Sequence, residues 1–253
     1  MMSEAMPIEE YLAKGGVLSS PLNVPARYRG ELMGLMARFV DSELSGSAGF
    51  VDAINSAPGI SERIGISQLV LEKTKHAELV LGVMETFGVE IGHYFELHPW
   101  SERIPRDETF VSSRSRADMR LSIFHYPVQG WIDAIVMNAL MSRASVIQLQ
   151  EMSQVSYQPL AEVFRNIAPM ESQHADQGFA SLAKAICDRH AKRRARESVS
   201  YWRPRVAETF GLSGSKKFEM LKRFGLRHRP NEALLADWQA DIGVRLTAFD
   251  LDN

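Results

Sequence analysis

The sequence predicts an all-α protein, a four-helix bundle with a long crossover and extra C-terminal helices. Two observations carry this expectation. Apolar residues recur at helical spacing over residues 26–47, 61–88, 131–154 and 159–186. Each of these segments also sets polar side chains on its otherwise apolar face, as bundles do when they build a site in their core.

Pro21 and Pro25 precede the first segment, where Leu32, Met36, Phe39 and Val40 share a face with Glu43. Pro58-Gly59 interrupts the pattern, and the second segment then aligns Ile66, Leu69, Val80 and Val83 with Lys73 and His76. Residues 89–120 lose periodicity. The His98-Pro99-Trp100 turn and the Arg/Ser run after it read as a crossover between two antiparallel helix pairs, with room for a short helix. The third segment aligns Trp131, Ile135 and Leu149 with Asn138, Ser142 and Ser145, and the fourth aligns Val163, Ile167 and Gly178 with Glu171 and His174. Pro169 removes a backbone hydrogen bond two residues before Glu171 and is expected to kink or widen that helix. Gly211, Gly214 and Pro230 separate further helical stretches at 201–210, 216–224 and 232–249. The expected division is an N-terminal extension over 1–25 and a single helical domain over 26–253.

The 253 residues suffice for one sizeable core. A net charge of −2 provides no general attraction to nucleic acid or to an anionic membrane, so neither is expected as a partner. No uninterrupted apolar run approaches the roughly 18 residues of a membrane span, and the acidic residues near the N-terminus do not read as a secretory leader. Cys187 is the single cysteine, which excludes an internal disulfide and fits a reducing, cytoplasmic location. The basic run Arg189-His-Ala-Lys-Arg-Arg-Ala-Arg196 reads as a solvated helix end or loop, with phosphate or partner binding as the alternative.

Glu171-Ser-Gln-His174 is a Glu-x-x-His pair of the kind that holds paired metal ions in bundle cores, because residues three apart share a helix face. Glu43 supplies one single carboxylate and His76 the second imidazole. The rest of such a site is missing: Lys73 stands where the second pair needs a carboxylate, and the third segment offers Ser142 or Asn138 in place of an acid. Glu72, between Gln68 and Lys75, reads as a surface partner for a charge. His125 and the recurring methionines read as core packing.

Several spaced stretches resemble one family. They are Asp41-Ser-Glu43, His76 followed by Glu85-Thr-Phe-Gly88, Ser122-Ile-Phe-His-Tyr-Pro127 with Trp131, Ser156-Tyr-Gln-Pro159, and Glu171-Ser-Gln-His174 with Gln177-Gly178. From about Tyr28 onward the chain is similar to the ferritin-like subunits of bacterial phenylacetyl-CoA oxygenase (1,2-epoxidase), the catalytic subunit more than its structural partner. The resemblance implies a ferritin-like four-helix bundle. It places the family's metal positions at Glu43, Lys73, His76, Ser142, Glu171 and His174, of which Lys73 and Ser142 depart from the pattern.

A buried ammonium needs anionic partners, so an ion-pair cluster of Glu43, Lys73 and Glu171 is the expected replacement for the metals. The expected cofactor is accordingly none, with one or two iron ions as the alternative. A single zinc or iron(II) held by Glu43, His76, Glu171 and His174, or a functional Lys73 of lowered pKa, stays open. Tyr126, Trp131, Asn138 and Tyr157 are candidates for lining a substrate cavity, against plain packing. By resemblance the function is that of an oxygenase subunit of phenylacetate catabolism with a degenerate diiron site, binding an acyl-CoA or a partner. The alternatives are an active diiron-type monooxygenase acting on an aromatic acyl-CoA and a stand-alone ligand-binding bundle whose Arg189–Arg196 run meets CoA phosphates. Assembly as a homo-oligomer, or with a related ferritin-like subunit, follows from the same resemblance.

Overall fold

Helix α1 (Ile8–Ala13) leads into the first long hairpin, α2 (Ala26–Ser56) and α3 (Ile60–Glu85). The structure, a computed structural model, describes residues 6–96, 98–110 and 118–252, so part of the Arg/Ser run, 111–117, lies outside the described residues. The crossover holds the short helix α4 (Ile91–Glu96) and a 3₁₀ turn at Ser122–His125. A second hairpin follows, α5 (Gly130–Met152) and α6 (Gln158–Ala185), and then α7 (Arg189–Glu208), α8 (Phe218–Arg223) and α9 (Asn231–Phe249). No strand is present among the described residues; the one bridge, between Leu18 and Tyr157, docks the N-terminal segment onto the start of α6.

Within each hairpin the helices pack along most of their length, whereas α2 meets α5, and α3 meets α6, over shorter stretches. The apolar core is correspondingly divided. One cluster gathers Phe50, Ile66, Leu69, Leu140, Phe179, Trp202 and Trp238, and the other gathers Tyr28, Leu32, Met36, Val80, Met84, Phe164 and Ile167. On α3 and α6 the change from one cluster to the other falls at Lys73 and His76 and at Glu171 and His174, and on α2 it falls just past Glu43, between Leu44 and Phe50. The bundle is a ferritin-like sandwich of two apolar halves with a charged layer between them.

Several elements run differently from the sequence expectation. Helix α2 continues nine residues beyond position 47, to Ser56. Gly46 and Gly49 weaken helix propensity there, but Phe50 and Ala53 gain burial in the first cluster and carry the helix on. The basic run, read as a helix end, does form one, the first turns of α7, started by Asp188, whose carboxylate accepts the Ala191 N–H at 2.8 Å. Helix α6 continues through Pro169. Helix α5 is long and apolar enough on average to match a membrane span, although Asp133 and Arg143 interrupt it, and most of it is buried within the bundle, as the apolar surface of a core helix is.

Asp133, in the first turn of α5, fastens three elements. Its carboxylate accepts hydrogen bonds from Arg106 (2.8 Å), the Gln129 N–H (2.8 Å), Ser198 Oγ (2.7 Å) and Trp202 Nε1 (2.9 Å). Arg106 in turn lies over the Tyr201 ring, 3.5 Å from its centroid. Helix α9 is held by the Arg143–Asp241 ion pair at 2.7 Å and by Trp238 Nε1 donating to the Leu140 carbonyl at 3.1 Å.

Helices α5 and α6 approach closely at Gly178, where a Cβ would stand 3.2 Å from Ala139 Cα and 3.2 Å from Asn138 Nδ2. Gly178→Val is therefore expected to destabilise the fold by about 1–3 kcal/mol through overpacking against backbone. Urea unfolding checks this, and an unchanged midpoint would show that the seam relaxes freely.

Candidate functional site

The Asp41-Ser-Glu-Leu-Ser45 stretch of α2 has two jobs set by helical geometry. Asp41 accepts hydrogen bonds from Tyr94 Oη at 2.6 Å and from the Met119 N–H at 2.7 Å. Ser42 Oγ accepts the Leu121 N–H at 3.1 Å, and Ser45 Oγ donates to the Trp100 carbonyl at 2.9 Å. These bonds tie both ends of the crossover to α2, with Arg120 adding a bond to the Glu102 carbonyl at 3.0 Å. Burial pushes the Asp41 carboxyl up, while Tyr94 and the Met119 N–H act in the opposite sense. Glu43, on another face of the same turns, points into the bundle.

There it meets α3. Lys73 Nζ donates to Glu43 Oε1 at 3.2 Å and lies 3.6 Å from Glu171 Oε1. His76 Nδ1 is 3.3 Å from Glu43 Oε2 and 3.6 Å from Glu171 Oε1. From α6, His174 turns Nδ1 to Glu171 Oε1 at 3.5 Å and Nε2 to the carboxylate of Glu72. Three helices thus bring two carboxylates, two imidazoles and one ammonium to one point, and the Lys73, His76 and Glu171 side chains are each at most 4% exposed. The fourth wall, α5, is uncharged: Ser142 Oγ donates to Asn138 Oδ1 at 3.3 Å. Gly46, one turn beyond Glu43, lets the Phe124 ring come close beside the Lys73 stem, since a Cβ there would stand 3.1 Å from Phe124 and 3.6 Å from Lys73 Cδ.

Charge sets the protonation of the cluster. Burial alone would lower Lys73 and raise Glu171, but their mutual attraction wins. Lys73 is raised by Glu171 and Glu43, and Glu171, drawn down by Lys73, His174 and His76, falls to about 2. Lys73 is therefore an ammonium ion at neutral pH, not the amine of lowered pKa that the sequence leaves open. Burial also opposes the charged form of His174, yet Glu171 and Glu72 raise it. Both oxygens of Glu171 nevertheless lack a hydrogen bond, as do His76 Nε2 and His174 Nδ1.

A cleft of about 1030 Å³ reaches Glu43 and Glu171 from the side of α2, α5 and the residues around α8. Leu35, Phe39, Met141, Leu149, Phe218 and Leu226 make its walls apolar, and its polar lining mixes Arg38, Arg120, Lys217 and Arg227 with Glu31, Glu102, Asp118 and Glu208, Lys217 pairing with Glu31 at 3.3 Å and Arg120 with Asp118 at 3.0 Å. His125 also faces it, stacked on Phe110 with centroids 3.9 Å apart and lowered by burial to about 4.

The structure brings Glu43, Lys73, His76, Glu171 and His174 together, with Ser142 on the adjoining wall. The cavity candidates fall elsewhere. Tyr126, Trp131, Asn138 and Tyr157 do not line the large cleft. Tyr126 borders a small pocket beside Ser45 and Gly46, Trp131 packs on the first apolar cluster, and Tyr157 packs against Phe87 at 5.3 Å. The cleft opens where the C-terminal residues meet α2, a surface to which those four side chains do not project. The Arg189–Arg196 run is likewise away from it; Lys192 and Arg196 pair with Asp250 at 2.9 and 2.6 Å. Glu72 belongs to the site and not to the open surface that its polar neighbours suggest, because its helical position flanks the buried face and lies in the α3–α6 seam. Its spacing, four residues before His76, is the signal in the sequence that points there.

The chain is 22% identical over 205 residues to a subunit of the 1,2-phenylacetyl-CoA epoxidase of Escherichia coli (strain K12), a match covering 80% of this chain and 62% of that protein. It thus spans less than two thirds of that relative's length. The family model described as phenylacetic acid catabolic protein matches residues 14–252. With that match covering nearly the whole bundle and its C-terminal helices, the chain belongs to the phenylacetic acid catabolic protein family.

Proposed function

We propose that the protein is an oxygenase-type subunit of phenylacetate catabolism that binds an aromatic acyl-CoA together with a partner protein and carries no diiron centre of its own. The observation supporting this is the Lys73 ammonium between Glu43 and Glu171. Four core carboxylates carry about −4, which two divalent cations balance. Here Glu43 and Glu171 supply about −2, one ammonium already offsets part of it, and α5 adds no acid. The donor set does not fit a pair of metal ions.

The cleft supports a binding role. Its apolar walls suit an acyl chain or ring. That the E. coli relative is one component of a multi-chain epoxidase by name supports assembly with partner chains. Two measurements test the proposal. Phenylacetyl-CoA is expected to raise the melting temperature while phenylacetate does not, and equal insensitivity to both would remove the binding role. Anaerobic reconstitution with iron is expected to leave less than one equivalent bound, whereas two equivalents with an oxygen-sensitive diiron spectrum would overturn the metal-free reading.

A further inference from the structure

We infer that the outer face of α7 is a docking surface for a partner protein that meets it with an acidic face; only the existence of a partner is taken from the proposed function. Residues 184–205 hold eight lysines and arginines against Asp188 and Glu197, a net +6 in a chain whose total is −2, so the rest of the chain carries −8. Charge segregated in this way steers an oppositely charged macromolecule to one side of the molecule. Helical geometry then gathers the cations. Ala191, Ala195, Val199, Trp202 and Val206 are buried, which turns Arg189, Lys192, Arg193, Arg196 and Arg203 outward within about 100° of arc and over about 21 Å of the axis. Asp250 offsets Lys192 and Arg196 at 2.9 and 2.6 Å, and Arg193 meets Glu197 only at 3.9 Å. Arg189, Arg194 and Arg203 have no acidic partner among the described residues.

The shape and chemistry of this stripe select its occupant. It runs along a convex helix face, and neither the large cleft nor the small pocket includes any of its residues, so it does not enclose a small anion. A helix that lies in a membrane interface sets large apolar side chains beside its cations. The exposed residues in this part of α7 are Arg189, His190, Arg193, Arg194, Glu197 and Ser200, all polar. Single-stranded nucleic acid needs open aromatic platforms, and the neighbouring Tyr201 ring is already covered by Arg106 and Arg205, 3.5 and 3.7 Å from its centroid. An acidic helix laid along the stripe meets every condition. Arginine forks match carboxylates, and cations one turn apart match acids repeated at three or four residues.

The test uses the full chain and a labelled helical peptide of roughly 20 residues with glutamate at every third or fourth position, alongside the same peptide with glutamine in place of glutamate. Fluorescence anisotropy is expected to show binding of the glutamate peptide alone, weakening about 10-fold as salt rises from about 50 to 200 mM. Arg189→Glu with Arg193→Glu should weaken it about 10-fold at low salt. Arg63→Glu with Lys75→Glu, the same change in net charge at exposed positions of α3, should leave it unchanged. Arg189→Gln with Arg193→Gln should show a smaller loss in the same direction, which decides the matter if charge reversal impairs folding. An equal loss in the α7 and α3 pairs, or binding that ignores salt, would overturn the docking surface. Tighter binding of a single-stranded RNA or of phosphatidylserine vesicles through the same arginines would overturn the acidic protein as its occupant. A wild type that ignores the peptide yet is stabilised by phenylacetyl-CoA would sink this surface and leave the proposed function standing.

Discussion

Replacing Asp133 with alanine is expected to lower the free energy of unfolding by about 3–5 kcal/mol, the cost of breaking a buried ion pair by removing one partner. The side chain is 5% exposed and receives four donors from three parts of the chain. Its loss leaves the Arg106 charge half-buried without its anion, and leaves Ser198 and Trp202 Nε1 without an acceptor. Asp133→Asn keeps the shape but presents two N–H donors where donors already converge, so its cost should fall between alanine and wild type. Chemical denaturation of both variants checks the order. A loss under about 1 kcal/mol for alanine would mean that water or a rearranged Arg106 takes over the hub.

Lys73→Met is expected to be comparably severe at neutral pH, at about 3–5 kcal/mol, and to differ from Asp133→Ala in its response to acid. In the wild type, Glu171 is held near 2 by Lys73, with help from His174 and His76 against burial. A depressed carboxylate contributes stability above its ordinary range and loses it as pH falls toward the folded value. The wild type should accordingly weaken between about pH 4.5 and 2. In Lys73→Met the same carboxylate is buried without its main cation, so burial favours its protonated form. The deficit relative to wild type should therefore be largest near pH 7 and narrow as the medium is acidified. The raised Lys73 predicts a second, alkaline loss in the wild type alone, beginning above the ordinary lysine value of 10.5. A deficit independent of pH from 7 to 4 would show that Lys73 contributes packing and not charge.

Much of this cluster is legible in the sequence, because three-residue spacing fixes a helix face whatever the neighbours do. Glu43, Lys73, His76, Glu171 and His174 meet as their periodicity requires. The positions that escape a sequence reading depend on which helix comes alongside. Glu72 is polar among polar residues in one dimension and becomes part of the site only because α6 lies against that edge of α3. Gly46 reads as a helix weakener until the Phe124 ring is seen to lie 3.1 Å from where its Cβ would stand. The cleft is less legible still, since its walls combine α2 with residues near α8, which are far apart in the chain. The length of α2 is hidden for a similar reason: local propensity at Gly46 and Gly49 argues for an end, and the distant contacts of Phe50 and Ala53 override it.

Lys73 also bears on how the protein reaches its working state. A metal ion must be acquired from solution, at a concentration and oxidation state that the cell has to maintain, and two apolar halves joined through such an ion wait for its delivery. An ammonium carried on a lysine side chain arrives with translation, always at one equivalent, and is not lost to chelators or to iron scarcity. On this reading the junction between the two hairpins is complete as soon as the chain has folded, and maturation becomes a matter of folding alone.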